Sequence, residues 1–345
     1  MSAVSGLLAP RTAAIAMAVL LLLVLPLWVG NAYYVNIASQ ILFFAVFALA
    51  LNVLVGYGGL TSLGHAGLFA MAGYTAALLL ARGHGHLVAD TAALLVTVAT
   101  AAVYAVLSLR ATGIGFLMIT LAIGQILWGI AYRWASLTNG DNGVNVSSRP
   151  MPFGLDLSGA DGFYYLCLVV FLACVGSMAV VVRSPFGASL RGTRDQERRM
   201  AALGYDVWLI RFWAFLLSGF WSGVAGLLFL YYNQFISPQV VALTTSAEAL
   251  LMVIAGGTAT LLGPIVGAAL VVIMKNVVSA YIVRWNMVLG IIFILIVSFM
   301  PEGLVPGSAR LWAWARHRLR HGKPKPAAPG PVAAPPASGG KEGVR

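Results

Sequence analysis

Long apolar runs separated by short polar breaks set the pattern of this chain. Residues 12 to 81 contain no Asp, Glu, Lys or Arg. As one helix they would extend about 105 Å at 1.5 Å per residue, more than three times the roughly 30 Å hydrocarbon core of a bilayer. The segment therefore has to cross more than once. Spans are predicted at 12 to 30 and 37 to 55, with a Gly-rich stretch reaching Ala81 as a third. After a turn at Arg82 to His86, further spans follow at 87 to 109, 111 to 132 and 163 to 182, with a polar loop at 133 to 162. Beyond residue 211 lie three more apolar windows, at 212 to 232, 246 to 274 and 278 to 300. Runs near 20 residues read as helices, because barrel strands show alternating segments of only about ten. The fold class expected is all-α, a polytopic membrane helical bundle of about 8 to 10 spans with broken or re-entrant segments.

Composition sharpens this. Of the 345 residues 60% are apolar and 9% charged, against roughly 25% charged in ordinary soluble domains. So few charges would leave large apolar patches in water, which excludes a water-soluble enzyme. A net charge of +11 would suggest nucleic acid as partner of a soluble protein; in a membrane protein it reads as Lys and Arg gathered in cytoplasmic loops, and no nucleic-acid partner is expected. Residues 183 to 211 carry six arginines, and residues 310 to 345 carry eight Lys or Arg. Both segments are predicted to be cytoplasmic. Six spans before Arg183 put the N-terminus on the same side and the 133 to 162 loop outside.

An even number of crossings has to separate the two basic segments, yet three windows lie between them. The middle window holds Gly256, Gly257, Gly263 and Pro264, which break helices or admit tight turns. It is predicted to dip in and return, as re-entrant half-helices or as two short tilted crossings, inside the bundle where irregular backbone is tolerated. Cys167 and Cys174, seven residues apart in one apolar run, share a helix face and are too distant for a disulfide. The first run resembles a signal peptide but lacks a clear small-x-small cleavage pattern, so it is expected to be retained as a span. Residues 1–306 are expected to form the transmembrane domain. Residues 307–321, with Trp312 and Trp314 among Arg and His, read as an interfacial amphipathic helix, and 322–345, with six prolines, as a disordered cytoplasmic tail.

Candidate chemistry is sparse. No GxxxxGK[ST], HExxH or GxSxG motif occurs, nor a Cys/His metal cluster, so no catalytic residue, metal or bound cofactor is expected. Residues 56 to 74 bring together Gly56, Gly58, Gly59, Gly64, Gly67 and Gly73 with Thr61, Ser62 and His65. Such a run either packs neighbouring helices closely around a structural histidine or breaks the helix and offers backbone groups to a polar ligand. Asn52 and Gln125 read as hydrogen-bonding glue between helices, Glu248 as a carboxylate near the outer edge of the broken window, and Lys275 and Arg284 as snorkelling cations. Gly219/Gly223 and Gly263/Gly267 have the spacing of packing seams. The loop from Gly192 to Gly204 reads as one short amphipathic cytoplasmic helix, suited to docking a soluble partner.

Here the chain resembles a known family. ERRMAALG at 197 to 204 looks like the coupling loop of ABC importer permeases. GYGGLTSLGHAGLFAMAGYTAALL at 56 to 79, RATGIGFLMITLAIGQILW at 110 to 128, LTNGDNGV at 137 to 144, LLMVIAGGTATLLGPIVGAALV at 250 to 271 and MPEGLV at 300 to 305 look like LivM-type branched-chain amino acid permeases. The resemblance covers roughly residues 30 to 306. It implies a permease subunit in a bacterial inner membrane, working with a second, LivH-like permease, two cytoplasmic ATPase subunits that hydrolyse the ATP, and an extracytoplasmic substrate-binding protein, all amid membrane lipid. Within the coupling loop at 183–211 it assigns ATPase coupling to Arg191, Arg194, Glu197, Arg198, Arg199, Ala201 and Gly204. The translocation pathway would run past Asn52, Gly59, Ser62, Gly64, His65, Gln125, Glu248 and Gly257. The cargo is less specified, since close relatives carry urea, short amides or aromatic acids. A self-sufficient channel or secondary transporter is the alternative from another class, but internal repeats and coupling charges are not evident.

Overall fold

A computed structural model describes residues 17–310, except residues 18, 29, 147–158, 283, 301 and 309 and the side chains of 285 and 286. The interfacial helix expected at 307–321 and the tail at 322–345 lie, but for residues 307, 308 and 310, outside the described residues. So does the middle of the 133 to 162 loop.

Helix α1 (Val19–Trp28) is followed by α2 (Ala32–Asn52), which Asn31 caps by accepting from the Tyr33 amide at 2.9 Å. A π-helical turn, Val53–Tyr57, extends α2, and after a non-helical link come α3 (His65–Ala81), α4 (His86–Ser108) and α5 (Ile114–Arg133). The short α6 (Ala135–Thr138) precedes strand β1 (Val144–Asn145), and α7 (Ala160–Arg183) leads to the basic segment. There the single helix expected from Gly192 to Gly204 proves to be two, α8 (Pro185–Asp195) and α9 (Glu197–Ala202), because Gln196 at φ −150°, ψ 89° leaves the helical region. Helix α10 (Val207–Asn233) runs back to strand β2 (Phe235–Ile236).

Among the described residues, six helices are long and apolar enough to cross a bilayer. Burial sorts them. In α2 with its π turn, 83% of the most apolar window is covered by other elements, and in α10 67%, against 22% in α5 and 28% in α7. Helix α2 is thus the central pillar, enclosed by α7, α10, α11 and α12, whereas α5 and α7 turn apolar faces outward, as lipid contact requires. Glycines let α10 approach its neighbours: Gly219 meets Ala101 and Gly223 meets Thr97 of α4, the seam their spacing predicts, and Gly226 lies against the Phe69 carbonyl of α3.

The window at 246 to 274 resolves the odd crossing count. It folds as α11 (Leu243–Gly256) and α12 (Gly263–Ile273), packed together around a turn at 257–262. Helix α12 continues through a second π turn, Met274–Val278, and α13 (Ser279–Tyr281), and α14 (Trp285–Phe299) returns. Gly257, Gly303 and the end of α2 all meet at the end of the bundle that carries α8 and α9, here the arginine end. Four helical passages, by α10, α11, α12–α13 and α14, therefore separate the basic loop from Gly303, an even number. At the opposite end β1 and β2 pair antiparallel, Val144 with Ile236 and Asn145 with Phe235, tying the loop after α5 to the end of α10.

Candidate functional site

The link between α2 and α3 sits at the middle of the bundle. Gly59 adopts φ +68°, open to glycine at no steric cost, and the chain then rises to His65 at the start of α3. The His65 ring is fully buried, with Nδ1 3.2 Å from the Ser62 hydroxyl and Nε2 2.7 Å from that of Ser218. Ser218 donates its one proton to the Ala50 carbonyl, so Nε2 has to be the protonated nitrogen and Ser62 donates to Nδ1. Both ring nitrogens thereby have partners, Ser62 of the link and Ser218 of α10. The Ala66 amide, one of the unpaired donors at the start of α3, is accepted at 3.0 Å by Ser246 of α11. Gly64 lies against the Thr120 carbonyl of α5, leaving no room for a side chain.

Asn52 holds the α11–α12 turn. Its amide nitrogen donates to the Thr260 carbonyl at 2.9 Å and its oxygen accepts from the Ala259 amide at 3.1 Å. Thr260 then accepts from the Gly263 amide at 3.0 Å and donates to the Gly257 carbonyl at 2.9 Å. Gly257, at φ +120°, and Gly303, at φ +93°, touch backbone to backbone. The expected glue role of Asn52 is seen, with the glue set between a helix and a broken loop.

The basic loop divides into an inward and an outward set. Arg194 donates to the Gly56 carbonyl, which belongs to the π turn of α2, and its aliphatic stem packs on Gly59. Arg191 donates to the Val182 carbonyl at 3.0 Å. Glu197 pairs at 2.9 Å with Arg211, whose side chain is only 12% exposed. Arg198, Arg199, Ala201 and Gly204 are exposed without an inward contact, and the first three line an open groove of about 760 Å³ with Gln196, Tyr205 and the half-exposed Glu197. Gly204 ends α9 at φ +87°.

Glu248 lies toward the strand end, 3.3 Å from Lys275. Lys275 lies in the second π turn with its side chain 44% exposed, so it reaches both Glu248 and the surface. Gln125 is exposed on the outer face of α5, away from the other predicted pathway residues. The predicted residues thus fall in separate places, with Ser62, Gly64 and His65 in the core, Asn52, Gly59 and Gly257 toward the arginine end, and Glu248 near the strands. Sequence reading missed Ser218, Ser246 and Arg211 as partners. Arg211 alone carried a signal, as a cation inside an otherwise apolar helix start.

The family model for the permease component of branched-chain amino acid transport systems matches residues 33–297. The high-affinity branched-chain amino acid transport permease LivM of Salmonella typhimurium is 30% identical over 296 residues, covering 79% of this chain and 70% of that protein. LivM of Escherichia coli is 29% identical over the same shares. A probable LivH permease of Methanocaldococcus jannaschii is 26% identical over 177 residues, 50% of this chain and 55% of its own length. No solved structure matches. With a family model covering most of the chain and LivM relatives aligned along the helical bundle, this multi-pass helical protein belongs to the permease components of branched-chain amino acid transport systems.

Proposed function

We propose that this chain is one of two permease subunits of an ATP-driven, binding-protein-dependent importer for branched-chain or related amino acids in a bacterial inner membrane. The second subunit is LivH-like, two cytoplasmic ATPases hydrolyse the ATP, and an extracytoplasmic binding protein delivers the cargo at the strand end. The chain itself binds no cofactor. The arginine end and both termini face the cytoplasm, in keeping with the bias of Lys and Arg. The observation that carries this reading is the bond from Arg194 to the Gly56 carbonyl. It joins the exposed basic surface to the central pillar, and Asn52, one turn away, joins the pillar to the α11–α12 turn.

In this mechanism the outward set, Arg198, Arg199, Ala201 and Gly204, receives the ATPase. The inward set, Arg191, Arg194 and Glu197, makes α8 and α9 move with α2 rather than against it. Closure of the ATPases then shifts the π turn and the Gly257 turn together, and the cavity alternates between the two sides. Gly59, Ser62, Gly64 and His65 form the hinge around which that movement occurs.

The test is the complete importer in proteoliposomes carrying Arg198→Glu or Gly204→Val. Assembly in the membrane and ATP hydrolysis by the ATPases are expected to persist while amino acid uptake is lost. Uptake equal to that of the parent would remove the docking role from this loop.

A further inference from the structure

Beside the central pillar the strand end of the bundle holds a cavity of about 390 Å³, within the range of small-ligand sites. Its floor is three aromatic rings. Phe69 and Phe229 meet edge to face with centroids 5.3 Å apart, and Phe44 lies 6.4 Å from each. Glu248 of α11 and Lys275 of the second π turn line the same cavity, 3.3 Å apart, with the Glu248 side chain 19% and the Lys275 side chain 44% exposed. Polar groups of the segment after β2, Thr244 and Thr245 among them, complete the wall.

Ionisable groups inside a spanning segment are retained where they pair or meet a polar ligand, and this pair does the first while facing the space for the second. The backbone supports the placement. A π turn inserts one extra residue into a helix, a local distortion common at functional sites. Here it sets Lys275 toward Glu248, while the next residue, Asn276, donates at 2.9 Å to Gln40 of α2. Gln40 in turn donates to Tyr232 at 2.8 Å.

We propose that this cavity is a receiving site for free zwitterionic α-amino acids with apolar side chains. Glu248 takes the α-ammonium, Lys275 takes the α-carboxylate, and Phe44, Phe69 and Phe229 hold the side chain. When the cavity is empty the two protein charges satisfy each other, and the ligand replaces that one contact with two charge-assisted hydrogen bonds. The arrangement selects by charge. Urea answers neither group, a carboxylic acid answers Lys275 and meets repulsion from Glu248, and an amine does the reverse. This inference rests on the import reading above and adds to it a named place and the charged pair that holds the cargo there.

The experiment measures binding of radiolabelled leucine to the assembled permease–ATPase complex in nanodiscs without its binding protein, in competition with 4-methylpentanoate, 3-methylbutylamine and urea. Leucine is expected to bind and none of the three to compete well. In Glu248→Gln, discrimination against 4-methylpentanoate is expected to fall about tenfold or more, and in Lys275→Met the same against 3-methylbutylamine, the scale of one charged hydrogen bond. A pair that merely fastened α11 to α12 would weaken all ligands equally and leave those ratios unchanged, which would overturn the proposal. So would equal competition by the analogues in the parent complex, or no leucine binding at millimolar concentration. Uptake of leucine by the complete importer is scored separately. Uptake without binding here sinks the site alone, whereas an importer that carries no free amino acid sinks the import reading with it.

Discussion

At the scale of single residues, close backbone approach and shared hydrogen bonds join the helices of this bundle. A Cβ on Gly226 would overlap the Phe69 carbonyl, which cannot move without shifting α3. Gly226→Ala is expected to lower the stability of the purified protein by about 1–3 kcal/mol, the usual cost of overfilling a packed interior. At Gly176 of α7 an added Cβ meets nothing within 4 Å, so Gly176→Ala is expected to gain up to about 1 kcal/mol from helix propensity. Thermal unfolding in detergent separates the two, and shifts of the same sign would rule out the close-contact explanation. Some of this was legible in the sequence. Asn52 and His65 stood out as polar residues in charge-free runs, and the seam at Gly219 and Gly223 followed from spacing. Their partners did not stand out, because Ser218 and Thr260 lie 153 and 208 positions away from His65 and Asn52.

At the scale of elements, the sequence predicted where helices run better than how they break. The basic loop was expected as one helix and is two: neither Gln196 nor its neighbours is a strong breaker, and just past the bend Glu197 pairs with Arg211 of α10. Helix α8 also begins at Pro185, ahead of the Gly192 start that was expected. Ser184 caps it by accepting from the Gly187 amide at 3.3 Å, and Pro185 stands at the first helical position, where its missing N–H costs nothing. Ser184→Ala is expected to destabilise that first turn by about 1 kcal/mol, roughly a fivefold rise in amide exchange at Gly187, with Ser184→Asp restoring protection. Exchange unchanged in Ser184→Ala would show that tertiary contacts alone hold the turn. Neither π turn was foreseen. Val53–Tyr57 lies in an apolar run with no polar face whose phase could shift, and in Met274–Val278 Lys275 and Asn276 read only as polar residues near the end of a span.

At the scale of the molecule, the parity of crossings carries the topology. The short α11 spans about 21 Å as helix, less than a bilayer core, yet with α12 it makes a return trip from the strand end to the Gly257 turn. Single cysteines at Thr244 and Tyr281, both exposed, are expected to react with an impermeant maleimide from one side of the membrane. One at Thr258, exposed in the turn, is expected to react from the other side, together with one at Arg198. The native Cys167 and Cys174 are buried and add little background. Labelling of Thr258 from the same side as Thr244 would overturn the return path.

What the sequence by itself determined was the class of solvent and where most of the spans run. Those depend on composition and on runs of about 20 residues, which are local properties, and on the side where arginines gather. The family was legible for the same reason, since its motifs are contiguous stretches. Only the tertiary structure decided which polar residues meet. It tied His65 to Ser218, Asn52 to the α11–α12 turn and Lys275 to Glu248, and left Gln125 on an outer face. In a chain with so little charge most buried polar groups find a partner at whatever separation the packing allows, and packing is a property of the folded bundle.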